Sequence, residues 1–406
     1  MKSISLIWLA RLRSSFWFTP IFMATLAGLL ALLLGVIWPA SQEEMPSISW
    51  LDKMSSDNAS LILSTLAGST ITIAGAIFSI TIVSLNMTSA QFGPGLIEKF
   101  LRAGATQITM GTFLACFVFC LLMLTLMPDV ENREDRYAVM QLSVACGIAL
   151  GILSFVVLIY FIQSTSRLLQ ARYIVFSLAE DALRVVPRVF KPETGDCSEL
   201  GEQCEYPITV EVGGYIQTID KAGIAAAAAK SENLVRLDVN VGDYLLSGQA
   251  IGALREADEE LETAVRAALR TGVERTPAED PEFAMERITE VAVRCLSPGI
   301  NDPYTALSCI DQLGRIINEL RHYSEPGTCF RDERNSVRLV VPPILFENII
   351  RTAFDPICMN IGEQHQVRER LVALLTDLTK NTQQPCLLAG LNLQLEMIRQ
   401  AQAINR

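Results

Sequence analysis

Histidine is almost missing from this chain. Its 406 residues include two, His322 and His365, and neither sits beside a second histidine or a cysteine at metal-ligand spacing. Ten cysteines are present, but no two form a CxxC pair. A zinc site is therefore not expected, and no metal or cofactor is assigned. The P-loop, dinucleotide-binding and nucleophile-elbow fingerprints are also absent. With so few histidines and no grouped acids, the chain is read as a non-enzyme. A formal net charge of −11 leaves no basic face for nucleic acid.

Charge is also missing where it would matter most. No Asp, Glu, Lys or Arg occurs between Asp57 and Glu98, and three further apolar runs are equally bare. A helix needs about 20 apolar residues to span a bilayer. The four runs, about Trp17–Trp38, Ala59–Met87, Gln107–Met127 and Ala138–Ile162, each reach that length. The first is longer than a signal-peptide core and no small-x-small cleavage site follows it, so it reads as an anchor. Ionisable residues inside a bilayer mark transport paths, so proton coupling through buried carboxylates loses its usual signature.

Orientation follows the basic residues. Lys2, Arg11 and Arg13 precede the first run, and Arg167, Arg172, Arg184 and Arg188 follow the fourth. Four spans return the chain to its starting side, so both termini are expected in the cytoplasm. Trp8, Trp17, Trp38 and Trp50 suit interfacial positions. Cys116, Cys120 and Cys146 lie within the apolar runs and read as small hydrophobes. The other seven thiols, being cytoplasmic, are expected to be reduced.

The second run carries a small and polar stripe. Ser64, Gly68, Thr72, Gly75, Ser79 and Asn86 recur at spacings of three, four and seven, which places them on one helix face. A shorter stripe in the fourth run, Ser143, Gly147, Gly151 and Ser154, contains a GxxxG. Such stripes pack helices closely. The alternative for the second run is a weakly polar path through a homo-oligomer. The uncharged segment after it holds Gln91, Phe92, Gly93 and Pro94, where Gly and Pro break the helix. It is either a structural link or a gate at the mouth of the spans. The following stretch 96–101 could lie along the cytoplasmic interface.

The remainder reads as an α+β domain. A charged helix is expected over 163–192, then a loop to Pro207. Ile208–Val212 and Tyr215–Ile219 alternate on either side of Gly213-Gly214 and predict a hairpin. Ala222–Asn233 predicts an alanine-rich helix, and Leu234–Val241 resumes alternation. Val241-Gly-Asp-Tyr-Leu-Leu-Ser-Gly-Gln249 resembles the turn pair of biotinyl- and lipoyl-like barrel-sandwich modules. The likeness implies shape alone, because Lys221 and Lys230 flank a helix rather than occupying a hairpin tip. Beyond Asp258 the pattern is mainly helical. Thr276-Pro-Ala-Glu279 fits a capping box, and Asp280-Pro281 is a second start for the same helix. Asp302 before Pro303 fits an N-cap. Ser336–Val341 predicts a strand, with helices at about 343–355, 360–380 and 385–403.

The expected organisation is thus a four-helix membrane domain over 1–165 and a connector over 166–207. A small barrel-sandwich-like β-module over 208–256 and a helical cytoplasmic domain over 257–406 follow. Arg275, Asp280, Asn301 and Asp302 are candidates for a ligand pocket, with ordinary capping as the alternative. The partners expected are the lipid bilayer, further copies of the chain, and a small ligand or protein.

Taken whole, the chain resembles a family of bacterial predicted membrane proteins of unknown function. Ser89-Ala-Gln-Phe-Gly-Pro94, Gly111-Thr-Phe113 and Gly214-Tyr-Ile-Gln-Thr-Ile-Asp220 carry the resemblance. Val241-Gly-Asp-Tyr244, Arg275-Thr-Pro277 and Leu296–Ala306 complete it. It implies an inner-membrane location and no stated activity. Two functions stand beside each other: an oligomeric, channel-like protein, and a non-conducting scaffold or ligand sensor.

Overall fold

The computed structural model describes residues 17–37, 55–92, 104–126, 134–168, 170–190 and 204–404. The chain divides into two compact units, Met1–Gln170 and Ala171–Arg406.

The first unit is helical. Helix α1, Phe18–Leu32, continues through a π turn at Leu33–Ile37. Helices α2 (Ser56–Phe92), α3 (Gly104–Leu126) and α4 (Glu134–Leu168) follow. Their stretches Phe18–Val36, Ser56–Thr88, Gly104–Leu126 and Val139–Ser166 are long and apolar enough to cross a membrane. Inside hydrocarbon every backbone N–H and C=O must be satisfied within the chain, which is why such runs are helices.

Helix α3 is the centre of the bundle and touches the other three. Gly111 lets α1 approach: a Cβ there would lie 3.2 Å from Pro20 Cα and 2.6 Å from Met23 Sδ. Beside that contact the Thr19 hydroxyl donates to Gln107 Oε1 at 3.0 Å. The core between the helices is built on Leu63, Ala67, Cys116, Phe119, Cys120, Met123, Met140 and Val144. Trp17 packs on Phe78, ring centroids 6.3 Å apart. The other three tryptophans, and stretch 96–101, lie outside the described residues.

The second unit opens with α5, Ala171–Val189. One continuous helix over 163–192 was the expectation; instead α4 stops at Leu168 and a new helix begins at Ala171. Strands β1 (Tyr206–Thr209), β2 (Gly214–Ile219), β3 (Val235–Leu237), β4 (Tyr244–Leu245) and β5 (Ala250–Leu254) form the β-rich part. Helix α6 (Lys221–Lys230) lies between β2 and β3, and α7 (Glu259–Ala268) leads into β6 (Leu269–Gly272). Then come α8 (Pro281–Leu296), α9 (Pro303–Leu320), β7 (Cys329–Arg331) and β8 (Val337–Val340). Helices α10 (Phe346–Asn360), α11 (His365–Asn381) and α12 (Pro385–Ile404) end the chain.

Two sheets form, one ordered β1-β5-β3-β8-β7 and one β4-β2-β6. The expected hairpin across Gly213-Gly214 does not exist. β1 pairs antiparallel with β5, whereas β2 pairs with β4 and β6. Gly213 and Gly214 carry the chain from one sheet to the other. A Cβ on Gly213 would meet the Leu245 carbonyl at 2.7 Å and one on Gly214 the Gly272 carbonyl at 2.8 Å. Alternation revealed the strands but not their partners, because a period of two is the same for either neighbour. Both sheets close on one apolar core that includes Ile208, Ile216, Ile219, Leu237, Leu245, Ile251 and Leu339. Burying such a side chain contributes about 1.5–3 kcal/mol.

Strands β6 and β7 are elements that the sequence pattern does not mark; both are short, β6 is held by β2, distant in sequence, and β7 by its neighbour β8. Thr276–Glu279 is not a helix start: Asp280 caps α8, accepting from Phe283 N–H at 2.9 Å, with Pro281 at the first position. Among the described residues eight cysteines are free thiols. Cys329, however, is disulfide-bonded, against the expectation of reduced thiols throughout.

Candidate functional site

Helix α2 turns two different faces to its surroundings. Ala59, Leu63, Ala67, Thr70, Ala74, Ile77, Thr81, Ser84 and Thr88 are buried. The residues singled out by spacing, Ser64, Gly68, Thr72, Gly75, Ser79 and Asn86, are all exposed on the opposite side. A Cβ added to Gly68 or Gly75 would meet nothing within 4 Å. Ser64, Thr72 and Ser79 donate to the carbonyls of Leu61, Gly68 and Gly75 at 3.0, 2.7 and 3.0 Å. The stripe from Ser64 to Ser79 runs roughly 22 Å along the helix.

The neighbouring outer faces differ in kind. α1 exposes Ile21, Phe22, Leu26 and Leu29, and α4 exposes Ile152, Phe155, Val156 and Ile159, the large apolar side chains that lipid suits. On α2 the stripe is flanked by exposed Leu61, Ile71, Ile80, Ile82, Val83 and Met87. The fourth-run stripe is used inside the bundle. Cβ atoms on Gly147 and Gly151 would come within 2.8 and 2.9 Å of Leu63 and Leu66 of α2. The two stripes, alike in sequence, therefore have opposite placements.

Further polar side chains lie inside the bundle, and of these the spacing argument had marked only Ser143 and Ser154. They are Thr70, Thr81, Ser84 and Thr88 on α2, Thr106, Thr109 and Thr112 on α3, and Gln141, Ser143 and Ser154 on α4. Their periodicity against the buried apolar positions was the available signal. Gln91 and Phe92 end α2, and Gly93 and Pro94 lie outside the described residues.

The second unit contains a polar cleft of about 850 Å³. Its walls are the start of α6 (Asp220, Lys221), the turn Asn240–Asp243, and the segment from Arg275 to Glu282. Phe330, Pro342 and Arg188 contribute from the β7–β8 region and the end of α5. Arg275 organises it. Its Nε and Nη2 donate to Asp280 Oδ2 at 3.0 and 2.7 Å, and its Nη1 to Glu286 Oε2 at 2.6 Å. The guanidinium also lies 4.8 Å from the Phe283 ring centre. Asp280 is buried, and burial pushes its carboxyl above the usual range, opposed by the Phe283 N–H and by Arg275. Burial likewise raises Glu282, reinforced by the charges of Asp280 and Asp243.

Several segments far apart in sequence meet here. Gln217 donates from Nε2 to the Glu274 carbonyl at 2.9 Å, tying β2 to the segment that presents Arg275. Asp220 caps α6 through Gly223 N–H at 2.9 Å. Asp243 accepts from Asn240 N–H at 2.7 Å, closing the turn that leads from β3 in one sheet to β4 in the other. Asn301 and Asp302 do not join this cleft. Asp302 caps α9, accepting from Thr305 N–H and hydroxyl at 3.1 and 2.6 Å. Asn301, at φ 47°, accepts from Gln364 at 2.8 Å beside a separate hollow of about 660 Å³. Of the four pocket candidates, the structure brings together Arg275 and Asp280. Capping accounts for Asp302.

Four apolar spanning helices joined to an α+β unit define a polytopic membrane protein. The chain belongs to the predicted membrane protein family DUF2254, whose pattern matches residues 13–377. It is similar to "Uncharacterized protein Rv1290c" of Mycobacterium tuberculosis and "Uncharacterized protein Mb1321c" of Mycobacterium bovis. Each is 25% identical over 353 residues, covering 84% of this chain and 67% of the relative. No solved structure matches it.

Proposed function

We propose that this protein is a homo-oligomeric, channel-like component of the bacterial inner membrane. The outward stripe of α2 would line a path between copies, and the C-terminal unit would assemble or gate it. One observation carries the reading: Ser64, Gly68, Thr72, Gly75 and Ser79 face away from their own bundle, where α1 and α4 present large apolar side chains. A bare, weakly polar face of that length suits a neighbouring helix or water better than lipid. The reading includes no catalysis. Purified protein in planar bilayers should conduct, and Gly75→Leu or Ser79→Leu should alter the conductance. Absent currents, or currents unchanged by both substitutions, would reject conduction.

Both termini are assigned to the cytoplasm because basic residues cluster before the first span and after the fourth. A phosphatase fused to the C-terminus should be inactive and a fluorescent protein fused there should fold; the reverse pattern would invert the topology.

The cleft around Arg275 and Asp280 favours a second reading, a non-conducting scaffold or sensor that takes a small ligand or protein through this unit. Thermal-shift screening of the detergent-solubilised protein tests it. A ligand shift abolished by Asp243→Ala supports the reading, and no shift across a metabolite set counts against it.

A further inference from the structure

The last three helices enclose a pocket of about 380 Å³, separate from the cleft at Arg275. Helix α10 supplies Asp355, Cys358 and Met359, α11 supplies Arg368, and α12 supplies Met397 and Ile398. The loop between α10 and α11 closes one side with Ile361 and Gly362. Ligand pockets run from about 300 to 1,000 Å³, so this one has room for a single small metabolite. Its charged groups are two, and they are of opposite sign.

Asp355 is the acidic one. Its side chain is 20% exposed, and Oδ2 accepts only from the exposed Arg351, whose Nε lies 3.4 Å away. Oδ1 accepts from Nε2 of Gln394, a residue of α12 with no exposed surface. The carboxylate fixes which end of that amide is the nitrogen. The Gln394 oxygen then has no hydrogen-bond donor among the described residues. Buried polar atoms are nearly always paired, so this one calls for a donor from outside the chain.

Arg368 is the basic one. Gly362, at φ 53°, turns the loop so that its carbonyl accepts from Arg368 Nη2 at 2.5 Å. No carboxylate pairs with Arg368 among the described residues, whereas the partly buried Arg266, Arg275 and Arg338 of the same unit each hold one. The remaining wall is apolar. Met359 is 82% exposed at the rim. Burial, and then the charge of Asp355, pushes the Cys358 thiol up to about 12, so it stays neutral.

We propose that this pocket binds a free α-amino acid with an apolar side chain. Asp355 and the Gln394 oxygen take the α-ammonium, and Arg368 takes the α-carboxylate through charge-assisted hydrogen bonds. Met359, Ile361, Met397 and Ile398 receive the side chain. Methionine thioethers adapt to differing shapes, which suits a site for several apolar side chains. Each charge of such a ligand thus meets a group that its own chain leaves short of partners. The site is independent of the Arg275 cleft and of whether the protein conducts.

Equilibrium dialysis of the detergent-solubilised full-length protein against radiolabelled L-leucine and L-methionine tests the proposal. The wild type should retain one amino acid per chain. Isopentylamine and 4-methylpentanoate, which are leucine without its carboxylate and without its ammonium, should compete at least about tenfold less well than leucine. Asp355→Asn and Arg368→Gln should each weaken retention about tenfold or more, while Glu369→Gln, exposed on α11, should bind as the wild type. Should Asp355→Asn fail to fold, Arg368→Gln decides, since it gives up only the contact with the Gly362 carbonyl. Retention of neither amino acid by the wild type, unchanged retention in Arg368→Gln, or isopentylamine competing as well as leucine would overturn it.

Discussion

The backbone of Gly242 lies directly against the carboxylate of Asp280. A Cβ built on Gly242 would fall 2.2 Å from Asp280 Oδ2 and 3.0 Å from Arg275 Nη2. Gly242 also has φ 98°, a left-handed conformation that disfavours any side chain. Gly248, at φ 82° on the next turn, has nothing within 4 Å. The pair separates backbone strain from packing. Gly248→Ala should cost about 1 kcal/mol from strain alone, and Gly242→Ala roughly 2–4 kcal/mol from strain plus overpacking. Pulse proteolysis of the second unit in urea would measure both. Equal losses would show that the Asp280 contact is slack.

Asp280 does two jobs with two oxygens: Oδ1 caps α8 and Oδ2 takes both Arg275 bonds. Asp280→Ala removes the cap and leaves the largely buried guanidinium with Glu286 as its remaining carboxylate, at a cost of roughly 3 kcal/mol. Asp280→Asn keeps an oxygen for the cap and should lose less. Arg275→Lys should not substitute, because an ammonium lacks the planar fork that reaches Asp280 and Glu286 together. Thermal unfolding that ranks Asn below Ala in stability would contradict this division of labour.

Acidity should act on the same joint. Burial, chiefly, raises the carboxyls of Asp280 and Glu282 above their ordinary values of 3.8 and 4.5. A folded-state pKa above the unfolded one gives stability that is complete below the unfolded value and lost as pH rises through the folded value. These two groups therefore make the second unit less stable at neutral pH than just above pH 4.5. Glu282→Gln should flatten that part of the profile and raise stability at pH 7. A profile parallel to the wild type would reject Glu282 as a contributor.

The two stripes give a paired test in the membrane unit. Gly147→Leu drives a side chain into Leu63 and should lower the melting temperature in detergent by several degrees, equivalent to about 1–3 kcal/mol. Gly75→Leu meets no neighbour within its own chain and should leave that temperature unchanged. If copies assemble through α2, the same substitution should shorten the ladder seen after chemical cross-linking. A melting temperature lowered equally by both would place α2's outer face inside the fold.

Much of the architecture was legible because its causes are local. An uncharged run of twenty or more apolar residues has one solution in a bilayer, so all four spans could be read directly. Asp280-Pro281 and Asp302-Pro303 marked the starts of α8 and α9 for an equally local reason, an acceptor for free N–H groups followed by a residue lacking one. Pairing was less legible. Val241–Asp243 could be recognised as a turn, yet nothing in it names Asp280, whose contact depends on how two sheets and a helix meet. Arg275 and Asp280 meet in one cleft, while Asn301 and Asp302 lie elsewhere and had been grouped with them because helix ends look alike.

By itself the sequence determined what each segment is: four spans without charge, small-polar stripes on the second and fourth, and an α+β remainder. Those properties reside in hydropathy and periodicity, which each segment carries alone. Only the tertiary structure decided what each face meets. It turned the stripe of α4 inward against Leu63 and Leu66 and left that of α2 open. It gave β1 and β2 to different sheets. Helix faces and strand edges are satisfied by any partner of suitable shape, so the choice belongs to the packed whole.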